Sequence, residues 1–279
     1  MRLHKKIGRT FRQGLRNTVL SRHGVAVLAN TWNGLLLVEA GDFAVGRRLL
    51  QKGSYDKPEV EWLLECIGHH AGSIVIVGAH IGALLVPLSR AAEKVIGFEP
   101  DAINFDLLSK NLLLNEVHNT QLINAAVGMR RGMVALRRNS LNPGNTSISM
   151  SHDNASGQVE MTTLDSSLSG APIDLMVMDI EGHEKHALEG GTRTIELTER
   201  LYIEFAPEQL VEQGTDPEDL LRLLSRSFPL LYLLEDRVVC TPADVGCRDI
   251  AQRMGARGFL KNLLFAKSEL PGQAVQWTR

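Results

Sequence analysis

Apolar runs of strand length alternate along this chain with stretches of helical spacing. The segments "SIVIV" (73–77), "KVIGF" (94–98), "TQLIN" (120–124), "IDLMVMD" (173–179) and "RLYIEF" (200–205) are short and rich in branched apolar residues. Such runs predict strands buried on both faces. Between them, residues 83–92 and "DAINFDLLSKNLLLNE" (101–116) read as helices, the second with Phe105, Leu108 and Leu112 in register and Leu112 to Leu114 in the core. A further helix is expected near 184–196. Strands separated by helices predict a mostly parallel sheet covered on both sides. Upstream, "VAVLANTWNGLLLVEA" (25–40) predicts two short strands around Asn33-Gly34, a dipeptide suited to a tight hairpin turn. "KPEVEWLLECIGHHAG" (57–72) predicts a helix with Pro58 in its first turn and Val60, Leu63, Leu64 and Ile67 on one face. Residues 129–170 break the rhythm with polar and Gly/Ser-rich pieces, which favours a surface loop, with some strand, close to substrate. "LLYLLEDRVV" (230–239) and "NLLFAK" (262–267) return to strand character. The chain thus divides into a basic arm (1–23), a hairpin cap (24–53) and a main domain (54–279) that carries the 129–170 insertion.

Composition changes this picture in two places. The 279 residues are 44% hydrophobic and 22% charged, with a formal net charge of −2, which gives no overall nucleic-acid footprint. Cys66, Cys240 and Cys247 form no CxxC pair, so free thiols in a reducing, cytoplasmic setting are expected. The exception to neutrality is the arm. Residues 1–23 hold seven Lys or Arg, and the first acid in the chain is Glu39. Leu3, Ile7, Phe11 and Leu15 recur every four residues, so a helix here would lay a narrow apolar stripe among cations. That pattern suits peripheral contact with an anionic membrane surface; a solvated tail suits it as well.

The strand 73–77 runs into Gly78 and Gly82, a turn at the carboxyl end of the sheet, where ligands of open α/β folds bind. A P-loop needs Lys and Ser/Thr after its last glycine, and Ala83 and Leu84 stand there. A dinucleotide fingerprint needs a middle glycine, and that position is His80. S-adenosylmethionine has no phosphate; it needs a looser turn and a carboxylate for its ribose. Glu99 follows Gly78 by 21 residues, at the end of the next strand, the offset of a ribose acid in such folds.

"VGAHIG", "GFEPDAINFDLLSKNLLLNEVHN", "TTLDSSL", "IDLMVMDIEGHEKHALEGG" and "LYIEF", in that order, resemble the FkbM family of methyltransferases over roughly residues 54–206. The resemblance implies a class I methyltransferase (Rossmann-like) fold of seven strands, the last antiparallel, with S-adenosyl-L-methionine as methyl donor. It implies cofactor contacts at Gly78, Ala79, His80, Gly82, Glu99, Pro100, Asn124, Ala125 and Asp179, no metal, and a hydroxyl on a sugar, glycan or natural product as acceptor. The chain departs from the family at three positions. Ile76 replaces the acid usual before the glycine turn, His80 replaces an Asn, and Val177 replaces a Lys often found two residues before the "D-x-E-G" Asp.

An alcohol must lose its proton as it is methylated, which calls for a base within about 3 Å. Asp179 and Glu181 are the candidates; Asp179 could equally fix the methionine end of the donor, and Glu181 could cap a helix. His183 and His186 read as the exposed face of a helix, and Trp32 either packs on the domain or stacks on a sugar. The hairpin 24–40 and the segment 133–160 are expected to wall the acceptor. A non-catalytic binding module and a nicotinamide-dependent oxidoreductase remain the alternatives.

Overall fold

The computed structural model describes residues 26–68, 70–138, 146–149, 157–234, 238–255 and 259–270. The basic arm lies outside the described residues. The strands are β1 (Ala26–Thr31), β2 (Gly34–Glu39), β3 (Ala71–Val77), β4 (Ala92–Phe98), β5 (Thr120–Ile123), β6 (Ala126–Val127), β7 (Gly132–Arg137), β8 (Ser147–Ser149), β9 (Gly157–Thr162), β10 (Leu175–Met178), β11 (Arg200–Phe205), β12 (Leu230–Leu234), β13 (Val238–Pro242) and β14 (Lys261–Ala266). The helices are α1 (Val45–Lys52), α2 (Lys57–Ile67), α3 (Leu85–Ser89), α4 (Ala102–Leu114), α5 (Leu164–Ser167), α6 (Glu184–Glu189), α7 (Thr192–Leu197), α8 (Pro207–Glu212), α9 (Pro217–Ser227) and α10 (Ala243–Arg253).

The main sheet has the order β13-β12-β14-β11-β10-β3-β4-β5. Strands β5, β4, β3, β10 and β11 are parallel to one another, and β14 runs antiparallel between β11 and β12. The expected reversed last strand is therefore β14. The eighth strand is β13: "LLYLLEDRVV" is not one strand but two halves of a hairpin. Alternation along the central strands builds two cores. Ile74, Ile76, Leu175 and Val177 point into the layer formed by the hairpin and α1–α4, whereas Val75, Val77, Met176 and Met178 point into the layer formed by α6–α10. Both layers are apolar, which is why these strands read as unbroken hydrophobic runs.

Several expectations shift with tertiary context. The hairpin turn is Trp32-Asn33, one residue earlier than the Asn-Gly signal, with Thr31 paired to Gly34. Asn33 is fully buried, and its amide nitrogen donates to the carbonyls of Tyr55 and Ala83 while its oxygen accepts from Tyr55 N–H. A buried satisfied amide fixes this turn more firmly than local turn preference. In α4 the buried face is Asn104, Leu107, Leu108, Asn111 and Leu112, so Leu113 (74% exposed) and Leu114 are not core. Asn111 and Asn115 take over that face by bonding the backbone of Leu37 and Leu35, which satisfies the open edge of β2. The insertion, read mainly as a loop, carries β7, β8 and β9, which join β6 just before it in a second sheet of order β6-β9-β7-β8. Arg138, just past β7, bonds Asp101 at 3.0 Å and Glu39 at 2.5 Å, joining insertion, α4 and hairpin. The helical stretch 83–92 shrinks to α3, and the helix near 184–196 is broken into α6 and α7 at Gly190-Gly191, where a Cβ on Gly190 would meet the Gly128 carbonyl oxygen at 2.1 Å.

Candidate active site

The parallel strands end at one rim, and the switch point lies between β3 and β10, whose Val77 and Met178 are register partners. The residues just beyond, Gly78 and Asp179, therefore meet there. Gly78 has φ +89°, and a Cβ on it would lie 2.0 Å from the Asp179 carbonyl oxygen. The bare backbone at Gly78 is thus required first by the neighbouring strand end. Gly82 (φ +90°) faces Leu108 of α4 in the same way, at 2.8 Å, and does not line the cavity beside the turn.

That cavity measures about 610 Å³ and opens at the carboxyl ends of the strands, within the size range of small-molecule sites. Gly78, Ala79, His80, Glu99, Pro100, Ala125, Asp179 and Glu181 all line it. Asn124 stands behind the wall, its amide donating to the Glu99 and Pro100 carbonyls. The 133–160 segment lines the cavity as expected, through Leu136, Thr146 and Ile148, together with α1, whereas the hairpin strands β1 and β2 do not. Trp32 packs on the core beneath the Lys57 ammonium instead of facing the cavity.

Glu99 is 4% exposed. One carboxylate oxygen accepts the His80 N–H at 2.8 Å; the other accepts the Asp101 N–H at 2.9 Å and the Asn104 amide at 3.4 Å. Burial nevertheless pushes this carboxyl up to about 7, with those N–H donors opposing it. A carboxylate has roughly four acceptor sites; three are taken here, the Asn104 bond being the longest, so the oxygen that faces His80 keeps a site for a ribose hydroxyl.

Below it the "D-I-E-G-H-E" segment forms a tight loop. Glu184 is buried and accepts the N–H groups of Ile180 (3.1 Å) and Gly182 (3.2 Å). Gly182 (φ +93°) lies so close to Gln209 that a Cβ would approach its carbonyl oxygen to 2.4 Å. The loop presents Asp179 and Glu181 to the cavity. Asp179 opens onto the cavity while protein surrounds it on the other sides. Its carboxyl is raised by that enclosure, an effect that water in an empty cleft screens and a ligand would restore, and is lowered by a hydrogen bond with Glu204 on β11. Glu204 is raised too, by burial and by the neighbouring carboxylates, so the pair favours one shared proton. Burial, then Asp179 and Glu184, push Glu181 up to about 8, and the Gln209 amide donates to it.

His183 corrects the sequence reading. It is 8% exposed, lines the cavity and stacks on His186 with ring centroids 4.4 Å apart. Burial lowers it to about 4, with His186 adding to the effect, so its imidazole is neutral near pH 7. Glu204, Gln209 and His183 were not singled out as site residues by the sequence. The available signals were an acid inside the apolar run "LYIEF" and a histidine within the acidic motif.

The residues present fit S-adenosylmethionine on a structural observation. Four side chains lining the cavity carry a buried polar atom without a hydrogen-bond partner: His80 Nε2, His183 Nδ1, Glu204 Oε2 and Gln209 Oε1. Buried polar atoms are normally paired, so their convergence on one cavity marks a place that a polar ligand completes. His80, the middle residue of the turn, brings an imidazole where a dinucleotide pyrophosphate needs bare backbone.

Sheet order, reversed β14 and strand-end acid define a class I methyltransferase fold. Three solved structures are similar to it. A putative methyltransferase from Streptococcus mutans in complex with SAH is 14% identical, with 77% of this chain and 99% of that chain covered and a TM-score of 0.45. An rRNA methylase from Streptococcus thermophilus is 17% identical over 76% and 95%, with a TM-score of 0.43. M. jannaschii TYW2 in complex with AdoMet is 14% identical over 87% and 85%, with a TM-score of 0.44. Among curated proteins no sequence relative matches significantly. The methyltransferase FkbM domain matches residues 77–229, more than half of the chain. The protein belongs to the FkbM methyltransferase family, and it is a methyltransferase of the S-adenosylmethionine-dependent type.

Two of the three departures from the family pattern are one change in space. Ile76 and Val177 are register partners on adjacent strands, and both are buried at the cavity floor. The acid and the lysine usual at these positions are replaced together by an apolar pair, which leaves no unpaired buried charge.

Proposed function

We propose that the protein methylates a hydroxyl group of a small-molecule or glycan acceptor, with Asp179 as the general base. The observation that carries this reading is the placement of Asp179, a carboxylate that opens onto the cavity where its strand end meets the Gly78 turn. S-adenosylmethionine, when bound, supplies a methyl carbon already activated by its sulfonium. Glu99 would hold a ribose hydroxyl, and the turn 78–80 would lie along the donor. Asp179 would take the hydroxyl proton of the acceptor as the acceptor oxygen gains the methyl group and the donor leaves as the neutral thioether. Burial keeps Glu181 largely protonated near pH 7, so it serves as a hydrogen-bond donor to the acceptor and not as the base. The paired loss of acid and lysine at Ile76 and Val177 is an orderly exchange, which disfavours a degenerate, non-catalytic relative.

The test supplies methyl-labelled donor with hydroxylated sugars, glycans, natural products and an RNA oligonucleotide, and compares wild type with Asp179→Asn. A positioned base contributes about 10²–10⁴-fold, so turnover of a hydroxylated acceptor should fall by about that factor with S-adenosylhomocysteine affinity within a few fold. A parallel loss of affinity would assign Asp179 to the methionine end of the donor. Label entering RNA alone would overturn the acceptor class.

A further inference from the structure

The cavity is electrically divided. Its acids, Glu99, Asp179, Glu181 and Glu204, stand at the strand ends. Its basic residues, Arg47, Arg48 and Lys52, all stand on the single helix α1, away from the strand ends in the chain. That helix is held in place. Asp42 accepts the N–H groups of Ala44 (2.8 Å) and Gly46 (2.7 Å) through its two oxygens, and Val45 and Leu49 are buried beneath it.

The three cations are unevenly committed. Arg48 pairs with Asp56 at 3.1 Å and lies over the Tyr55 ring. Arg47 bonds the neutral Gln51 side chain and, among the described residues, makes no ion pair. Among the described residues Lys52 makes no ion pair. One acid therefore answers three cations on this wall. A solvated helix face would carry the same charges, but these three line the cavity that holds the donor residues.

The donor has a carboxylate of its own, but its residues on this protein lie elsewhere. The ribose acid Glu99 and the turn 78–80 lie on the strand-end side, which leaves the α1 wall to the other substrate. We infer that the acceptor carries an oxyanion (a phosphate, sulfate or carboxylate) that docks on Arg47 and Lys52, turning its hydroxyl toward Asp179. This inference rests on the reading of the cavity as the donor and acceptor site. Arg47 and Lys52 here are positioning and specificity residues, since the base is Asp179 on another element. Oxyanions favour guanidinium and ammonium donors, and charge of both signs orients a bound molecule better than it tightens it.

The experiment titrates pyrophosphate, glucuronate and glucose into protein saturated with S-adenosylhomocysteine, for wild type and for Arg47→Gln/Lys52→Gln. Both substitutions are on exposed side chains, and thermal melting checks the fold. We expect one or both anions to bind wild type, glucose not to bind, and the double variant to bind the anion about tenfold more weakly with its S-adenosylhomocysteine affinity unchanged. The stronger anion then names phosphate or carboxylate as the acceptor group. Equal anion binding by wild type and variant, or no anion binding to the saturated protein, would overturn the inference. Weaker S-adenosylhomocysteine binding in the variant would also overturn it, by giving the cations to the donor. Failure of wild type to bind S-adenosylhomocysteine at all would instead remove the underlying reading of the cavity, and the inference with it.

Discussion

Replacing Glu99 separates two jobs that one side chain performs. As a strand-end acid it would need little from the fold, but it accepts the N–H groups of His80 and Asp101 on different oxygens while 4% exposed. Glu99→Ala leaves both donors without a partner, at about 1–3 kcal/mol each, and so mixes unfolding with loss of binding. Glu99→Gln keeps one acceptor oxygen and turns an amide NH₂ toward the other donor. Its stability cost should be about 1–3 kcal/mol, or a melting decrease of very roughly 2–10 °C for a chain of this size. Losing the charge-assisted bond to the ribose costs about 1.5–3 kcal/mol of affinity, a ten- to hundredfold rise in the S-adenosylhomocysteine Kd. Urea denaturation measures the first quantity and isothermal titration the second. A folded Glu99→Gln protein with wild-type Kd would place the ribose elsewhere, and unchanged stability would refute the bracing role.

Further predictions concern charge and close packing. Glu99, Glu181 and Glu184 have folded pKa values raised to about 7, 8 and 7 from an ordinary 4.5. The native state therefore binds more protons than the unfolded chain between about pH 4.5 and 8, and ligand-free stability should fall as pH rises through that window; a melting temperature higher at pH 8 than at pH 5.5 would contradict this. The donor's sulfonium favours ionised carboxylates, so affinity for S-adenosylmethionine relative to the neutral-sulfur product should rise over the same range, as parallel titrations would show. Gly78→Ala should lose at least about 3 kcal/mol, from strain at φ +89° and overlap with the Asp179 carbonyl; wild-type melting in this variant would be inconsistent with the packed turn. Ile76→Asp and Val177→Lys should each destabilise, with a favourable coupling of about 1–3 kcal/mol in the double variant, whereas strict additivity in denaturation would show that the two departures are unrelated. Removing residues 1–22 should preserve the fold and reduce retention on anionic vesicles, and equal retention would make the arm a solvated tail.

The parallel strands, the glycine turn and Glu99 were legible in the sequence because each is fixed by local pattern or by spacing along one βαβ unit. What was not legible depends on contacts distant in sequence. The hairpin register is held by Asn33 reaching Tyr55 and Ala83, and the helix face of α4 is reset by Asn111 and Asn115 against β2. The second sheet pairs β6, just before the insertion, with β9 inside it, partners 35 residues apart in sequence (Ala126 with Met161). The role of α1 as a cavity wall follows from how the cap docks, which no periodicity encodes. Glu204 and Gln209 reach the site only because β11 lies beside β10.

The central claim is that this cavity takes S-adenosylmethionine. Isothermal titration of the wild-type protein with S-adenosylhomocysteine and, separately, with NAD tests it most directly. The account predicts saturable binding of S-adenosylhomocysteine at one site per chain and no binding of NAD; saturable NAD binding at micromolar concentration, with no heat from S-adenosylhomocysteine, would contradict it.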